Sequence, residues 1–379
     1  MTGLMVDATK MAEATELESV VTPRIQRLET VPPQVTPPDL GEALPVRSLH
    51  LNESPFPPAP AVVEAMQRAA AGLNRYPDHD GRDLIAQLAR RTGAPADHIV
   101  IGSGSNELLY ASADISLDQG DEAVAPVPGF PTYAKTITMR GATHVGVAVR
   151  ADGVVDIEAT LKAVTPKTRL VFVASPHNPT GGLLGVPEIE QLVRELPDHV
   201  LLHFDEAYYE FGRHADGPES LPLLARRRGP WIATRSFSKA YGLAGARVGY
   251  GITNSRELAD AYRKIRINFS VNAVALAAAR AALDQTSHLA ELLDHTATER
   301  VRLAEGLTVL GFQPLPSAAN FVTVVTPRPA AAIAQQLRAK NIFVLPFPWP
   351  QTPGALRITV GTRQDTDAFL AAIRDVMVA

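Results

Sequence analysis

The chain has 379 residues, contains no cysteine and carries a formal charge of −4 at pH 7. The absence of cysteine excludes disulfides, thiolate catalysis and cysteine-ligated metals. The mildly negative charge argues against an extended polyanion such as a nucleic acid as the partner, although it is compatible with a small phosphate in a local pocket. We find no signal segment and no apolar run of the about 20 residues that a bilayer requires, so we expect a cytoplasmic protein with no membrane partner.

The first 48 residues differ from the rest of the chain in composition. Residues 31–38 are rich in proline, which excludes a helix interior or a central strand. We expect an extended arm here, preceded by a short helix over residues 8–20. Composition alone leaves a floppy tail as the alternative.

From Leu51 onward, segments with helical periodicity alternate with short runs rich in Val, Ile, Leu and Ala. Residues 59–71 and 81–92 have the helical pattern. Most of the apolar runs lack the alternation of a half-solvated strand, which favours an α/β fold with a mostly parallel sheet covered on both faces. The predicted strands are residues 98–102, 122–125, 143–149, 170–174, 200–204 and 232–235.

The C-terminal part of the chain has a different pattern. Residues 257–283 form a long helical stretch with an interruption at Asn268-Phe269, and strand-like runs at 320–324 and 356–360 alternate with helices after it. This order predicts a smaller α+β domain. We therefore divide the chain into an N-terminal arm over residues 1–48, a large domain over residues 49–270 and a small domain over residues 271–379.

Polar residues follow two of the predicted strands, where ligands bind in open parallel sheets. Ser105 and Asn106 open a helix directly after a strand, so their amides and hydroxyl can hold an anion. The alternative is a plain N-capping loop. Asp205 directly follows the mostly apolar residues 200–204 and therefore needs a partner cation, such as the protonated ring nitrogen of a ligand, unless it caps the next helix.

The segment over residues 236–247 carries the strongest chemical signal. Ser236, Ser238, Lys239 and Arg247 follow a predicted strand within a glycine-rich turn. Two hydroxyls and a guanidinium suit a phosphate, and a desolvated lysine beside cationic groups becomes a nucleophilic amine. The alternative is a solvated lysine at a turn, which the three anion-binding groups around it disfavour.

These motifs together resemble a known family. The stretch Ser-Phe-Ser-Lys-Ala-Tyr-Gly-Leu-Ala-Gly-Ala-Arg from Ser236, Asn178-Pro179-Thr180-Gly181, Asp205-Glu206-Ala207-Tyr208 and Leu356-Arg357-Ile358-Thr359-Val360-Gly361 are similar to the class I/II aminotransferases of pyridoxal-phosphate (PLP) fold type I. Leu51-Asn52-Glu53-Ser54-Pro55 and Asn74-Arg75-Tyr76-Pro77 resemble the histidinol-phosphate aminotransferase branch. The resemblance runs from about Leu49 to the C terminus, with the order and spacing of the motifs intact.

The resemblance implies a role for each matching residue. Lys239 would form an imine with PLP and later move a proton, and Asp205 would hold the pyridine nitrogen protonated. Arg357 would grip the substrate carboxylate in a bidentate manner. Asn178 and Tyr208 would contact the phenolic oxygen of PLP, and Asn178 would also contact the substrate. Tyr133 would stack on the ring, unless it is a core aromatic. The phosphate would be bound by Ser105, Asn106, Ser236, Ser238 and Arg247, and by Tyr76 of the partner subunit in a homodimer.

The sequence departs from the histidinol-phosphate branch at two places. An arginine expected about a dozen residues before Arg357 is replaced by Leu345 or Pro346, and Pro37-Pro38 stands where a proline-tyrosine pair is expected in the arm. A buried phosphate without its cations is costly. We therefore expect an ordinary apolar or aromatic α-amino acid, and a 2-oxo acid acceptor, rather than histidinol phosphate. The aromatic residues Phe343, Phe347 and Trp349 fit either a pocket wall or the domain core.

Three other functions are alternatives to amino transfer. The same fold supports other PLP reactions, namely decarboxylation, β-elimination or oxidative deamination, because the pocket chooses which bond at the α-carbon breaks. A PLP-fold transcription regulator would need a basic winged helix, for which the first 48 residues are too few and too rich in proline. A dinucleotide-dependent dehydrogenase is disfavoured because Gly102-Ser103-Gly104 lacks the third glycine and the ribose-binding acid.

Overall fold

A seven-stranded sheet forms the centre of the larger part of the molecule. The computed structural model describes residues 21–26, 28, 45–350 and 352–378. The sheet has the strand order β2-β8-β7-β6-β5-β3-β4. Its strands are β2 (Ile99–Gly102), β3 (Glu122–Val127), β4 (Thr143–Ala148), β5 (Thr168–Ala174), β6 (Leu201–Glu206), β7 (Trp231–Ser236) and β8 (Gly249–Thr253).

The six strands that the apolar runs predict are all present. Every residue of β6 and β7 is buried, because helices cover both faces of the sheet. The pairs β3–β4, β3–β5, β5–β6 and β6–β7 are parallel, which confirms the predicted α/β fold. The carboxyl ends of these strands therefore meet along one edge, where the predicted polar motifs lie.

Strand β8 is absent from the predicted strands and runs antiparallel to both of its neighbours. Its glycines weakened the strand signal. A β-carbon on Gly249 would lie 2.3 Å from the backbone nitrogen of Ser105, and one on Gly251 would lie 2.6 Å from the Ile232 side chain. Glycine is required at both positions because neighbouring atoms come so close to this strand.

Helices cover the sheet and build the rest of the molecule. The long helical stretch is interrupted as predicted, since one helix ends at Ile265 and the next begins at Ala273. The helices are α1 (Pro23–Gln26), α2 (Pro60–Ala70), α3 (Arg82–Thr92), α4 (Ser105–Ser116), α5 (Pro131–Arg140), α6 (Ile157–Lys162), α7 (Val186–Glu195), α8 (Tyr209–His214), α9 (Leu221–Leu224), α10 (Arg256–Ile265), α11 (Ala273–Leu283), α12 (Thr286–Val309), α13 (Ala330–Arg338) and α14 (Arg363–Val378).

A second, antiparallel sheet forms the smaller domain, in the strand order β12-β13-β10-β9. Its strands β10 and β13 confirm the two strands predicted in this part of the chain. A short parallel pair, β1–β11, lies beside it. These strands are β1 (Arg47–Ser48), β9 (Gln313–Pro314), β10 (Phe321–Val325), β11 (Ile342–Phe343), β12 (Leu345–Phe347) and β13 (Ala355–Thr359).

The packing of two segments bears on the predicted domain boundaries. The buried residues of α11 belong to the hydrophobic core of the large sheet, although the small domain was predicted to begin at residue 271. Leu49 packs into the core of the small domain, although it was assigned to the large one. We therefore propose that the large-domain body continues through Leu283 and that residues 47–49 pack with the small domain.

The predictions for the N-terminal arm, a helix over residues 8–20 and an extended segment over residues 31–38, lie outside the described residues. Within the described ranges, no helix is both long and apolar enough to cross a membrane.

Candidate active site

A cavity of about 260 Å³ lies at the carboxyl ends of β5, β6 and β7, where the small domain meets the large sheet. All of the predicted site residues except Tyr76 line it. Those residues are Ser105, Asn106, Tyr133, Asn178, Asp205, Tyr208, Ser236, Ser238, Lys239, Arg247 and Arg357.

Lys239 reaches this cavity from the turn that follows β7. The turn is anchored by Phe237, which is fully buried, and is closed by a hydrogen bond from the Gly242 amide to the Lys239 carbonyl. The Nζ atom donates to the Leu51 carbonyl over 2.9 Å. Burial, helped by the positive charges of Arg357 and Arg247, lowers the pKa of Lys239 to about 8. A substantial fraction of the amine is therefore neutral near physiological pH and able to act as a nucleophile.

Asp205 is the penultimate residue of β6 and is buried. Its carboxylate accepts a hydrogen bond from the Tyr133 hydroxyl over 2.7 Å and one from the Ala207 amide over 3.1 Å. Burial raises the pKa of Asp205 to about 6, with Glu206 adding to the shift and these donors opposing it. The carboxylate does not cap α8, whose N-cap residue is Tyr208. A buried acid of this kind is stabilised by a cationic partner in the cavity.

The first turn of α4 and Arg247 together form an anion cradle. The N-cap of α4 is Gly104, which has no side chain to cap the helix, so Ser105 and Asn106 are the first two helical residues and neither is the N-cap. A β-carbon on Gly104 would lie 2.5 Å from an Nη atom of Arg247, so only glycine lets the guanidinium lie against this turn. Arg247 also donates to the Ser238 hydroxyl over 3.4 Å. Helix amides, hydroxyls and a guanidinium are the donors that a phosphate prefers.

Arg357, on β13, lies at the opposite end of the cavity and is only 6% exposed. It donates to the side-chain oxygen of Asn178 and to the His50 carbonyl. Within the part of the chain that the structure describes, its Nε atom has no hydrogen-bond partner. A buried guanidinium with a donor left over is suited to a carboxylate ligand.

Tyr208 is held between the two ends of the cavity by a residue that the sequence analysis did not assign. The Asn52 amide donates to the Tyr208 hydroxyl over 2.8 Å, and the Thr359 hydroxyl donates to the Asn52 side-chain oxygen over 3.0 Å. Asn52 is buried and has a positive φ of 54°, a conformation that asparagine tolerates better than most residues. The only available signal was its place in the Leu51-Asn52-Glu53-Ser54-Pro55 motif.

Comparison with known proteins identifies the family. Residues 45–373 match the family described as aminotransferase class I and II. The chain belongs to this family. It is 40% identical to a histidinol-phosphate aminotransferase of Methylococcus capsulatus over 86% of this chain and 89% of that protein. It is 38% identical to an aromatic amino acid aminotransferase of Rhodococcus jostii over 93% of this chain and 95% of that protein.

A solved structure of the same fold contains the cofactor. The histidinol-phosphate aminotransferase of Sinorhizobium meliloti, in complex with pyridoxal-5′-phosphate, superposes with a TM-score of 0.88 at 32% identity and covers 97% of this chain and 99% of that one. The chain is therefore a PLP-dependent aminotransferase of fold type I. Membership of this family also decides against the dehydrogenase alternative.

The cavity of this aminotransferase fits PLP on its own geometry. Besides Arg357, its charged features are the amine of Lys239, the buried carboxylate of Asp205 and the cradle formed by Arg247 and the first turn of α4. They are chemically complementary to the aldehyde, the ring nitrogen and the phosphate of the cofactor, in that order. When bound, PLP supplies the electron sink for bond breaking at the α-carbon of an amino acid.

Two groups of predicted residues lie elsewhere in the aminotransferase. Tyr76 is 81% exposed and stacks on Phe269 at a centroid distance of 4.5 Å, outside the cavity of its own subunit. Phe343, Phe347 and Trp349 are not among the described residues that line the cavity. Phe343 is buried beside His50, which suits the core interpretation, whereas Phe347 and Trp349 are only partly buried and pack edge-on against each other at 6.3 Å.

Tyr133 lines the cavity with a hydroxyl that faces Asp205. Its ring stacks on Phe172 at a centroid distance of 4.7 Å and contacts Phe130 edge-on at 5.9 Å. Thr132, the residue before Tyr133 on α5, donates a hydrogen bond to the side-chain oxygen of Asn106 over 2.9 Å. The predicted stacking of Tyr133 on the PLP ring stays a prediction.

Proposed function

We propose that this aminotransferase moves the amino group of an apolar or aromatic α-amino acid to a 2-oxo acid, in preference to acting on histidinol phosphate. One observation carries the proposal: Leu345 lies directly opposite Arg357 in the antiparallel pair β12–β13. Directly opposed residues in such a pair present their side chains on the same face of the sheet. The neighbour of Arg357 on β12 is therefore apolar, and its neighbour on β10 is Thr323.

The surroundings of Arg357 extend this apolar face. Phe347 follows Leu345 at the spacing that returns to the same face of β12, and the Arg357 guanidinium lies 5.3 Å from the ring centre of Phe321. A substrate bound through one carboxylate needs one guanidinium. A phosphate dianion has twice the charge, and without a second cation its burial costs several kcal/mol. The single arginine beside a leucine therefore favours a carboxylate with an apolar side chain.

The similarity to characterised proteins is compatible with both substrates. The Rhodococcus jostii relative is named for aromatic amino acids, and the Methylococcus capsulatus relative for histidinol phosphate. The identities are close to each other, so overall similarity does not separate the two substrates. The residue opposite Arg357 is therefore the better guide to the substrate.

We also propose chemical roles for the residues that line the cavity. Lys239 holds the cofactor covalently and, once its amine is free, moves the proton at the substrate α-carbon, because its lowered pKa makes it a base near neutral pH. Asp205 pairs with the ring nitrogen and keeps it protonated. Tyr208 and Asn178 hold the phenolic oxygen, while Asn178 also orients Arg357. Ser105, Asn106, Ser236, Ser238 and Arg247 bind the phosphate.

We also propose that the enzyme is a homodimer. Leu73, Tyr76 and Ile267 are 57%, 81% and 72% exposed, and together with Phe269 they form an apolar surface of the kind that a second subunit covers. Tyr76 would then complete the phosphate site of the partner. We propose in addition that the enzyme is located in the cytoplasm.

The substrate proposal is tested by exchanging the residue opposite Arg357. The variant Leu345→Arg places a second guanidinium on the face of Arg357, so we expect it to raise kcat/KM for histidinol phosphate and to lower it for phenylalanine. Pro346→Arg is the matched control, because residue 346 pairs with Leu356 and lies on the other face of β12. Equal effects of the two variants on the ratio of the two substrates would contradict the proposal.

A further inference from the structure

A line of buried polar side chains leads away from Asp205 into the interior of the large domain. Thr234 pairs with Asp205 across β6–β7, so its hydroxyl lies beside the Asp205 carboxylate, where hydrogen bonding from the hydroxyl lowers the pKa of the carboxyl. His203 lies 2.9 Å from the Thr234 hydroxyl through Nε2 and 2.6 Å from the Ser112 hydroxyl through Nδ1. The Ser112 hydroxyl lies 2.6 Å from the hydroxyl of Tyr262. A buried line of polar groups in which each group has a partner makes the surrounding core more rigid.

The strand register explains why these side chains meet. His203 and Asp205 are two residues apart on β6 and so point to the same face, and Thr234 pairs with Asp205 across β6–β7. The helices α4 and α10 cover this face and contribute Ser112 and Tyr262. His203, Thr234 and Ser112 are fully buried, so no bulk water competes for their protons.

While Asp205 is ionised, the number of available protons fixes the direction of the hydrogen bonds. Burial lowers the pKa of His203 to about 3, so the imidazole is neutral and has one donor and one acceptor. An ionised Asp205 only accepts, so the Thr234 hydroxyl must donate to it. Thr234 then accepts from Nε2–H of His203, whose Nδ1 accepts from Ser112, which in turn accepts from Tyr262. Every donor in the line points toward the carboxylate.

The reverse arrangement is the alternative. If Thr234 donates to Nε2, then Nδ1–H of His203 donates to Ser112, and the Ser112 proton goes to the Leu108 carbonyl, which lies 3.0 Å away. Asp205 then faces the lone pairs of Thr234, a geometry that suits the protonated acid and not the carboxylate. The two tautomers of His203 therefore correspond to the two charge states of Asp205.

We propose that Thr234, His203 and Ser112 are positioning residues that form a one-directional hydrogen-bond relay, which holds Asp205 as an ionised, correctly oriented partner for the cofactor ring. This inference rests on the role assigned to Asp205 under the proposed function. The relay opposes the effects of burial and of the negative charge of Glu206, and it acts beside the hydrogen bonds from the Tyr133 hydroxyl and the Ala207 amide. Tyr208 also faces this carboxylate.

The direction of the relay can be measured on the protein without cofactor. In enzyme labelled with ¹⁵N-histidine at pH 8, where Asp205 is ionised, we expect His203 to carry its proton on Nε2. The His203→Gln variant assigns the signals by their loss. A proton on Nδ1 at pH 8, in the apoenzyme and in the holoenzyme, would overturn the proposal, whatever the catalytic role of Asp205.

The contribution of the relay to cofactor binding is measured with matched variants. A hydrogen bond to a charged group corresponds to roughly a tenfold to hundredfold change in affinity, so Thr234→Val should weaken PLP binding by that factor. Thr253→Val is the control, because Thr253 is equally buried on the adjacent strand and donates to backbone carbonyls remote from Asp205. Ser112→Ala, one step further along the relay, should have a smaller effect.

The pair His203→Gln and His203→Met separates donation from packing. Gln retains an N–H that can donate to Thr234, whereas Met fills a similar volume without a donor. We expect His203→Gln to keep most of the PLP affinity and His203→Met to lose as much as Thr234→Val. Equal affinities for the two variants, or equal affinities for Thr234→Val and Thr253→Val, would refute the relay. If Asp205→Asn itself leaves PLP affinity unchanged, the assigned role of Asp205 fails instead.

Discussion

The two ends of the cavity are built in different ways. At the cofactor end, Asp205 and Lys239 come from the ends of two adjacent parallel strands, and each lies within a short contiguous motif. At the substrate end, Arg357 comes from the small domain and is oriented by Asn178 from the large one. The strand register there, and not a motif, decides that Leu345 is its neighbour. The cofactor end therefore defines the reaction class, and the substrate end defines what is transformed.

The largest expected effect is at the cofactor end. Lys239→Ala removes the one lysine among the described residues that line the cavity, so the absorbance band of the lysine-bound cofactor should disappear while the phosphate cradle still binds some PLP. Lys264→Ala, at the end of α10, serves as the control and should keep the band. An unchanged band in Lys239→Ala would show that another residue carries the cofactor.

The next effect is at the substrate end. Arg357→Lys keeps the charge but loses the bidentate geometry, which costs about 2 kcal/mol, or about 30-fold in kcat/KM for an amino acid. Absorbance, and therefore cofactor binding, should change little. Arg338→Lys, an exposed arginine of the same domain, should leave kcat/KM unchanged. A loss of PLP in Arg357→Lys, without a change in kcat/KM of the loaded enzyme, would be inconsistent with this division of labour.

The two ends are coupled through the pKa of Lys239. Because the pKa is lowered to about 8, the amine is neutral above this pH, and the rate at which the apoenzyme captures PLP should rise up to about pH 8 and then level off. The charge of Arg357 contributes to the lowered pKa, so Arg357→Gln should move this plateau to higher pH. A rate that continues to rise toward pH 10.5 in the unmodified enzyme would show that the pKa of Lys239 is not lowered.

The smallest effect is expected where the two ends meet. Thr359→Val removes the hydroxyl that bonds both the backbone amide and the side chain of Asn52 over 3.0 Å. Asn52 then orients Tyr208 less well, which we expect to cost about 1 kcal/mol, or roughly fivefold in PLP affinity. Thr326→Val removes a buried hydroxyl of the same domain far from Asn52 and should leave the affinity unaltered. Equal losses of PLP affinity in the two variants would show that Thr359 contributes only to the stability of the fold.

The sequence predicted most of the fold and the cofactor end, because both depend on local patterns. The continuous apolar runs identified the parallel strands, and contiguous polar residues at their ends identified Asp205 and Lys239. The antiparallel strand β8 was missed, because Gly249 and Gly251 reflect close packing against α4 and β7 and not a strand propensity.

Contacts between distant segments could not be predicted in the same way. Asn52 and Thr359 are separated by 307 residues, and only the folded chain places them together. The pairing of Leu345 with Arg357 depends on the register of two strands, and the relay from Asp205 to Tyr262 depends on helix packing. Tertiary packing creates such contacts, and local patterns do not encode them.

The central claim is that the cofactor end makes this chain an aminotransferase and that Leu345 beside Arg357 selects an apolar amino acid. The most direct measurement is the single-turnover rate of cofactor conversion with phenylalanine and with histidinol phosphate, each at a saturating concentration on the same PLP-loaded enzyme. We expect conversion of the cofactor to its amine form to be faster with phenylalanine by at least about tenfold, which corresponds to about 1.4 kcal/mol. Faster conversion with histidinol phosphate would contradict the claim.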